Sequence, residues 1–402
     1  MRVSVCAAHK TVFLYGGEMM TEREIMEFAC EEFYWLHAHP ELSYEEFETT
    51  ARLRAAFERF GIRVLDVPLE TGLVAAVGTG EKPIVALRTD IDALPVTEAT
   101  ELPYRSLTEG KMHACGHDFH MAAVLAAALL LKEREDELKG TVYIVCQPAE
   151  EAPGGARRVL DTGVLDDVTA IFGIHARPLY PVGTFGLCAG GMMASTDKFE
   201  ITFKGVGTHA AQPDRGCDPI VMAAQFVTAA QTITARNVNP LHAAVVSIAH
   251  IEGGTTWNVL PEQVWMEGTI RLFDAADRVL VKKRMEELAA GIAAGLGGHA
   301  EISWKSGAPA VVNTPRWNEL AADAAKREGF AVVDAVPWMA GEDFAYYQET
   351  MESCFAFVGT GLGPENHHPQ FTVDPAAIPQ AARYLVRIAE TSLCCVTRDF
   401  GA

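Results

Sequence analysis

The densest chemistry in this 402-residue chain is the run MHACGHDFH, Met112 to His120, which holds one cysteine and three histidines. Cys115 and His117 are separated by a single glycine. On one helix that spacing points them to different faces, whereas a loop entering a helix can aim both at one point. Alone, the pair is a weak sign of a metal site, and a buried thiol beside a capping histidine is the commoner reading. Glu150 and Glu151 directly follow the apolar run TVYIVCQ, and adjacent acids after a strand face different directions. One can then ligate a metal while the other holds a proton. His175 ends the run TAIFGIH, and His367 and His368 stand together in ENHHPQF. Each of these is ordinary when taken singly. Together, Cys, His, Glu, His and His are the donors that divalent transition metals favour. The cysteine leans towards zinc, while carboxylate and imidazole keep manganese, cobalt and nickel open.

Such residues need strand ends to position them, and the sequence supplies candidates. Helical spacing of Ile25, Phe28, Ala29, Phe33 and Leu36 follows Thr21, which forms a capping box with Glu24. A second helix is expected near Glu45 to Phe60, with Gly61 as its stop. Strands are expected at Thr71–Val77 and Pro83–Arg88, a helix at Met121–Leu131, and buried strands at TVYIVCQ and TAIFGIH. This alternation predicts an α/β sheet with helices on both faces and chemistry in the loops after its strands.

Near Gly190 the pattern changes. DKFEITFKG, AVVSIAHIEGG and QVWMEGTIRLF alternate in hydrophobicity, around helices expected from Asp218 to about Ala235 and Ala276 to about Ala294, before the strand AEISWK. From Ala308 the α/β pattern returns and ends in a helix around Ala376–Leu393. The chain therefore reads as two-domain: an α/β catalytic domain in two parts, residues 20–191 and 308–402, interrupted at 192–307 by a smaller α+β sandwich acting as a lid or dimerisation domain.

The charge of −20, from 33 Lys and Arg against 53 Asp and Glu, argues against nucleic acid or an anionic membrane as the main partner. A small anionic substrate stays possible, because a metal or a local cation overrides the global sign. Nine scattered cysteines, several inside apolar runs, point to a reducing, cytoplasmic compartment rather than a disulfide framework. The longest apolar run, MAAVLAAALLL, is too short for a membrane span. At the start of the chain, His9 and Lys10 break the apolar stretch of a would-be signal peptide. GGEMM suggests instead that translation begins at Met19 or Met20.

The blocks ALRTDIDALP, MHACGHDFHMA, CQPAEE, GIHARP, GTHAAQPDRGCDP, EGGTTWNVLP, EGTIRLF and GEDFAYY occur in this order across nearly the whole chain after Met20. In content and order the chain resembles the aminoacylase-like metallo-amidohydrolases and metallopeptidases, the group of the hippurate hydrolases and indole-acetyl-amino-acid hydrolases. The resemblance implies two divalent metal ions held by Cys115, His117, Glu151, His175 and one of His367 and His368, with His367 favoured. It implies Glu150 as general base and Asp92 as a carboxylate orienting a ligand histidine. His209 is the implied oxyanion-stabilising histidine, reaching the site from a partner subunit's inserted domain, and so implies a homodimer or higher oligomer. Asn258 and Arg271 match positions near the substrate, where a planar guanidinium suits a carboxylate. Glu342 and Asp343 match a further block, for which a structural role closing the site and a catalytic role are both open.

The expected reaction is hydrolysis of the amide of N-acyl-L-amino acids, with a dipeptidase or a deacetylase of a biosynthetic intermediate as the alternative. A cysteine hydrolase with Cys115 as nucleophile needs a histidine base and an orienting partner, and only His117 lies close in sequence. A non-enzymatic binding protein on the same fold would be expected to lack Glu150 or a ligand. His113 and His120 read as supporting residues. One departure stands out: Pro213-Asp214 replaces the Pro-His pair usual in the family, and this bears on substrate preference or subunit contact.

Overall fold

The structure is a computed structural model that describes residues 20–400. Met1 to Met19, and with them the question of the translation start and Cys6, lie outside the described residues. The chain opens with α1 (Glu22–Ala38), α2 (Phe47–Arg59), β1 (Arg63–Val64), β2 (Leu73–Gly78) and β3 (Ile84–Asp90). It continues through α3 (His117–Lys132), β4 (Thr141–Gln147), α4 (Gly155–Asp161), β5 (Val168–Arg177) and β6 (Thr184–Leu187). The insert follows as β7 (Gly190–Met193), β8 (Ser195–Lys204), β9 (Thr208–His209), α5 (Pro219–Arg236), β10 (Ala244–Gly253), β11 (Val259–Leu260), β12 (Gln263–Leu272), α6 (Ala275–Gly295) and β13 (His299–Ser306). The chain returns through β14 (Val311–Asn313), α7 (Pro315–Arg327), β15 (Ala331–Asp334), β16 (Glu352–Gly359) and α8 (Ala377–Phe400).

Eight strands form the main sheet in the order β1-β2-β4-β3-β5-β16-β6-β15. Its centre, β4, β3, β5 and β16, is parallel. Every residue of β3 is buried, as expected of a strand covered on both faces. The capping box of Thr21 and Glu24 starts α1. Helix α3 is buried along its length apart from Lys132, so it is apolar all round rather than amphipathic. It begins at His117, four residues before the apolar run suggested. The polar residues of its first turn are buried and hydrogen-bonded, and hydrophobicity alone does not register them. Similarly, α8 runs past the expected Leu393 to Phe400.

The insert is one four-stranded antiparallel sheet, β10-β12-β8-β13, with α5 and α6 packed on one face. Phe199, Ile201 and Phe203 of β8 meet Met222, Phe226 and Met285 of the helices in its own core. The alternate residues of β12, from Gln263 to Arg271, point to the opposite face. The whole is therefore a two-domain α/β architecture with a smaller α+β insert. Because β3, β4, β5 and β16 run parallel, their C-terminal ends and following loops gather at one edge, where an open sheet builds its site.

Candidate metal centre

Gly116 makes the turn that lets Cys115 and His117 converge. Its φ is +93°, and a Cβ there would come within 2.8 Å of the Ala176 side chain, so only glycine fits between the end of β5 and the start of α3. Cys115 Sγ stands 3.5 Å from His175 Nε2. His175 meets the Ala176 carbonyl through Nδ1 at 2.9 Å, leaving Nε2 facing the thiol. Cys115, Glu151 and His367 form one tight group of donor atoms, and His117, Glu150 and Glu151 form a second that shares Glu151. His367 Nε2 lies 3.3 Å from Glu151 Oε1. Its backbone is held at φ +68°, a costly conformation for a non-glycine residue, by a 2.7 Å hydrogen bond from its N–H to the Ala114 carbonyl. His368 instead accepts from the Gln370 N–H. Of the two histidines, only His367 reaches the cluster.

Asp92 ties the first loop to the second. Its backbone carbonyl lies 2.8 Å from His117 Nδ1 and its Oδ1 3.3 Å from the same nitrogen. Its carboxylate also accepts the backbone N–H groups of Glu150 and Glu151 at 3.1 and 3.0 Å, and the Ser43 hydroxyl at 2.6 Å. With Nδ1 committed, His117 presents Nε2 to the interior. That nitrogen and Glu151 Oε1 are both sealed from solvent without a hydrogen-bond partner. Buried polar atoms are seldom orphaned. Two that face one another inside a ring of thiol, imidazole and carboxylate fit a divalent cation.

The electrostatics agree. Burial works against charge on His117, yet Asp90, Asp92 and Glu151 outweigh it and push the imidazole up to about 10. Burial, then the carboxylates of Glu151 and Glu150, drive the Cys115 thiol well above its usual range. A nucleophilic cysteine needs the reverse shift, so the environment opposes a cysteine hydrolase. Glu150 is also raised well above the usual range, by burial first and then by Glu342, Glu151 and Asp343. This concentration of acids calls for positive charge.

Behind the cluster lies a network whose importance the sequence analysis missed. Arg88 is fully buried and meets Asp90 at 2.7 Å, Glu342 and Asp343 at 3.0 Å, and Gln147 at 2.9 Å. Asp90 carries the chain on to His120 at 2.7 Å, and His120 Nε2 accepts the Ala176 N–H, so both of its ring nitrogens are engaged within the protein. Burial raises Glu342 to about 8 and Asp343 to about 6 even though Arg88 pulls both down. Asp343 donates its backbone N–H to Glu150 at 3.2 Å. The legible signal was an arginine inside an apolar strand with an aspartate two positions on, hence on the same face. His113 was expected to support the site, but neither of its buried ring nitrogens finds a hydrogen-bond partner, and burial lowers it to about 4.

The insert's candidates stand apart from this cluster. His209 is exposed and accepts the Ala211 N–H at 3.0 Å through its own Nδ1. Asn258 is its neighbour, because β9 pairs with β11 and the Asn258 carbonyl accepts the Ala210 N–H. Arg271 is half-buried on the β12 face turned away from the helices, and among the described residues nothing hydrogen-bonds its guanidinium. Asp214 is exposed in a short 3-10 turn at Pro213–Arg215.

Comparison with known proteins agrees with this geometry. The model of peptidase family M20/M25/M40 matches residues 86–391. An N-acetylcysteine deacetylase of Bacillus subtilis (strain 168) is 48% identical over 356 residues, covering 88% of this chain and 94% of that protein. An IAA-amino acid hydrolase of Arabidopsis thaliana, ILR1-like 4, is 37% identical over 379 residues, covering 89% and 86%. The crystal structure of the Bacillus subtilis YXEP protein, described as a dinuclear metal binding peptidase of the M20 family, superposes with a TM-score of 0.85 at 44% identity, over 92% of this chain and 99% of that one. Matched along most of its length in sequence and in fold, the chain belongs to peptidase family M20/M25/M40.

Proposed function

We propose that the protein hydrolyses the amide bond of N-acyl-L-amino acids, releasing a carboxylic acid and a free amino acid. The observation that carries this reading is the facing pair of orphaned atoms, His117 Nε2 and Glu151 Oε1, set among Cys115, His175 and His367 with Glu150 beside them. Cys115, His117, Glu151, His175 and His367 are the ligands we assign to two divalent cations, zinc or manganese, with cobalt and nickel as further candidates. When bound, such ions polarise an amide carbonyl and lower the pKa of water. Glu150 then takes a proton from the attacking water and passes it to the leaving nitrogen. Asp92 fixes the orientation of His117 and of both glutamates through one carboxylate. The names of two relatives, an N-acetylcysteine deacetylase and an IAA-amino acid hydrolase, support the substrate class.

Residues 192–307 act in this reading as a lid and dimerisation domain on a catalytic domain of residues 20–191 and 308–402. Arg271 and Asn258 hold the carboxylate of the amino-acid half. His209 of the partner subunit supplies an oxyanion donor. Support comes from the surface around it: Trp257, next to Asn258, is 91% exposed, and Val259, paired with His209, is also exposed. An apolar rim beside a polar group suits a homodimer or higher homo-oligomer. The substrate is small, and neither nucleic acid nor membrane enters the scheme. No helix among the described residues is long and apolar enough to cross a membrane. The eight described cysteines are all unpaired, which supports a cytoplasmic setting.

The test is amino-acid release from N-acetyl, N-benzoyl and indole-acetyl amino acids, using chelated protein before and after zinc or manganese is returned. Release that depends on returned metal is the expected result. Release unaffected by chelation overturns the reading.

A further inference from the structure

Arg177 ends β5 two residues after His175, so both side chains lie on the same face of the strand. It is 7% exposed, and its Nη1 is sealed from solvent with no hydrogen-bond partner. Among the described residues no carboxylate lies within ion-pair distance of it, and Glu365 acts on it only from farther off. Its guanidinium lies 4.3 Å over the Trp338 ring and 5.5 Å over the Phe357 ring. Trp338 also stands edge-on to His175 at 5.7 Å, and His175 faces Cys115 at 3.5 Å. A buried cation therefore adjoins the metal centre through one shared aromatic ring.

Stacking on two rings favours the guanidinium but gives its sealed Nη1 no acceptor. Burying such donors without an acceptor is costly. A planar fork open at a site is matched by a carboxylate. With Arg271, in the other domain, assigned the carboxylate of the amino-acid half, the acyl half is the part of the substrate left to offer Arg177 an acceptor. Trp338 and Phe357 offer apolar contact to the methylenes that would carry it.

We propose that Arg177 is a specificity-determining residue that binds a terminal carboxylate on the acyl half of the substrate, so that short dicarboxylic acyl groups such as succinyl are preferred. The proposal rests on the amidohydrolase reading above. It predicts that Arg177→Met, compared with the metal-loaded wild type, raises KM for N-succinyl-L-alanine about tenfold or more, the loss of one charge-assisted fork. KM for N-acetyl-L-alanine and kcat for both substrates stay within about twofold. Arg177→Lys, which keeps the charge without the fork, gives an intermediate KM, and this variant carries the test if the methionine variant does not fold.

Unchanged KM for the succinyl substrate overturns the proposal. So does a penalty on N-acetyl-L-alanine that vanishes with N-acetyl-L-alaninamide, because the arginine then belongs to the amino-acid half. A wild type inactive on all three substrates defeats the amidohydrolase reading instead. Calorimetric binding of succinate and acetate to the same two metal-loaded proteins then decides the matter. A succinate preference lost in Arg177→Met supports the assignment, and equal preferences in both proteins overturn it.

Discussion

His117 Nε2 and Glu151 Oε1 lie 4.0 Å apart, both buried and both without a hydrogen-bond partner. The first comes from the opening residue of α3 and the second from the loop after β4, and Asp92 is bonded to both segments. A cation between them satisfies two atoms that otherwise cost stability.

Metal uptake should release protons. His117 is held up to about 10 by the surrounding acids, and Cys115 lies well above its usual range. Both are therefore protonated at neutral pH, and both must lose that proton to ligate a metal. Calorimetric titration of chelated protein in two buffers of different ionisation enthalpy should show about one proton released per displaced group. Affinity should tighten as pH rises from 6 towards 8. Affinity independent of pH would contradict this ligand set.

Glu150→Gln should separate binding from chemistry. In the proposed reading its side chain moves a proton rather than ligating, so metal content after dialysis should match the wild type, and a loss of metal would make it a ligand instead. Turnover should fall by roughly 10²–10⁴-fold. Asp92→Ala should act differently, losing metal affinity by about 10–100-fold because the loop of Glu150 and Glu151 loses its anchor and His117 loses the carboxylate beside it, keeping only the backbone carbonyl. Metal analysis alongside kcat distinguishes the two.

Arg88→Met should be among the most destabilising single changes in the catalytic domain. Removing the guanidinium strands Asp90, Glu342 and Asp343 as buried acids that share no other described arginine or lysine. Breaking such a buried network costs about 3–5 kcal/mol, read from urea unfolding of the variant against the wild type. Arg88→Lys should rescue little, because one ammonium cannot reach three carboxylates and Gln147 together.

His37 makes stability depend on pH on the alkaline side. Burial opposes its charge, but Asp118 at 2.6 Å and Glu98 at 3.3 Å outweigh that and raise it to about 9. A histidine raised above its unfolded value of about 6.5 stabilises fully below that pH, and the contribution disappears as pH climbs through about 9. The stability gap between wild type and His37→Gln should therefore shrink between pH 6 and pH 9.5. The change is on the order of 3 kcal/mol. A constant gap across this range would mean that the pair is not ionised.

Much of this protein was written in its sequence because the deciding physics is local. Alternation and apolar runs identified β3, β4, β5 and the insert's strands, since a strand buried on two faces or on one leaves that mark directly. The capping box of Thr21 and Glu24 is a contact across three residues. Glu150, Glu151 and His175 announced themselves by standing at the ends of such runs, and Cys115 by its crowding with three histidines.

What tertiary structure alone decided are relations between distant segments. It chose His367 over His368, because only His367 is pinned to Ala114 across the sheet edge. It joined Arg88 to Glu342 and Asp343, 254 and 255 residues away, and left Arg177 buried without an acceptor. Sequence separation carries no trace of such encounters, since the order of the strands, not of the residues, brings them together. The chain thus declares which residues are capable of chemistry, and the parallel sheet determines which of them meet.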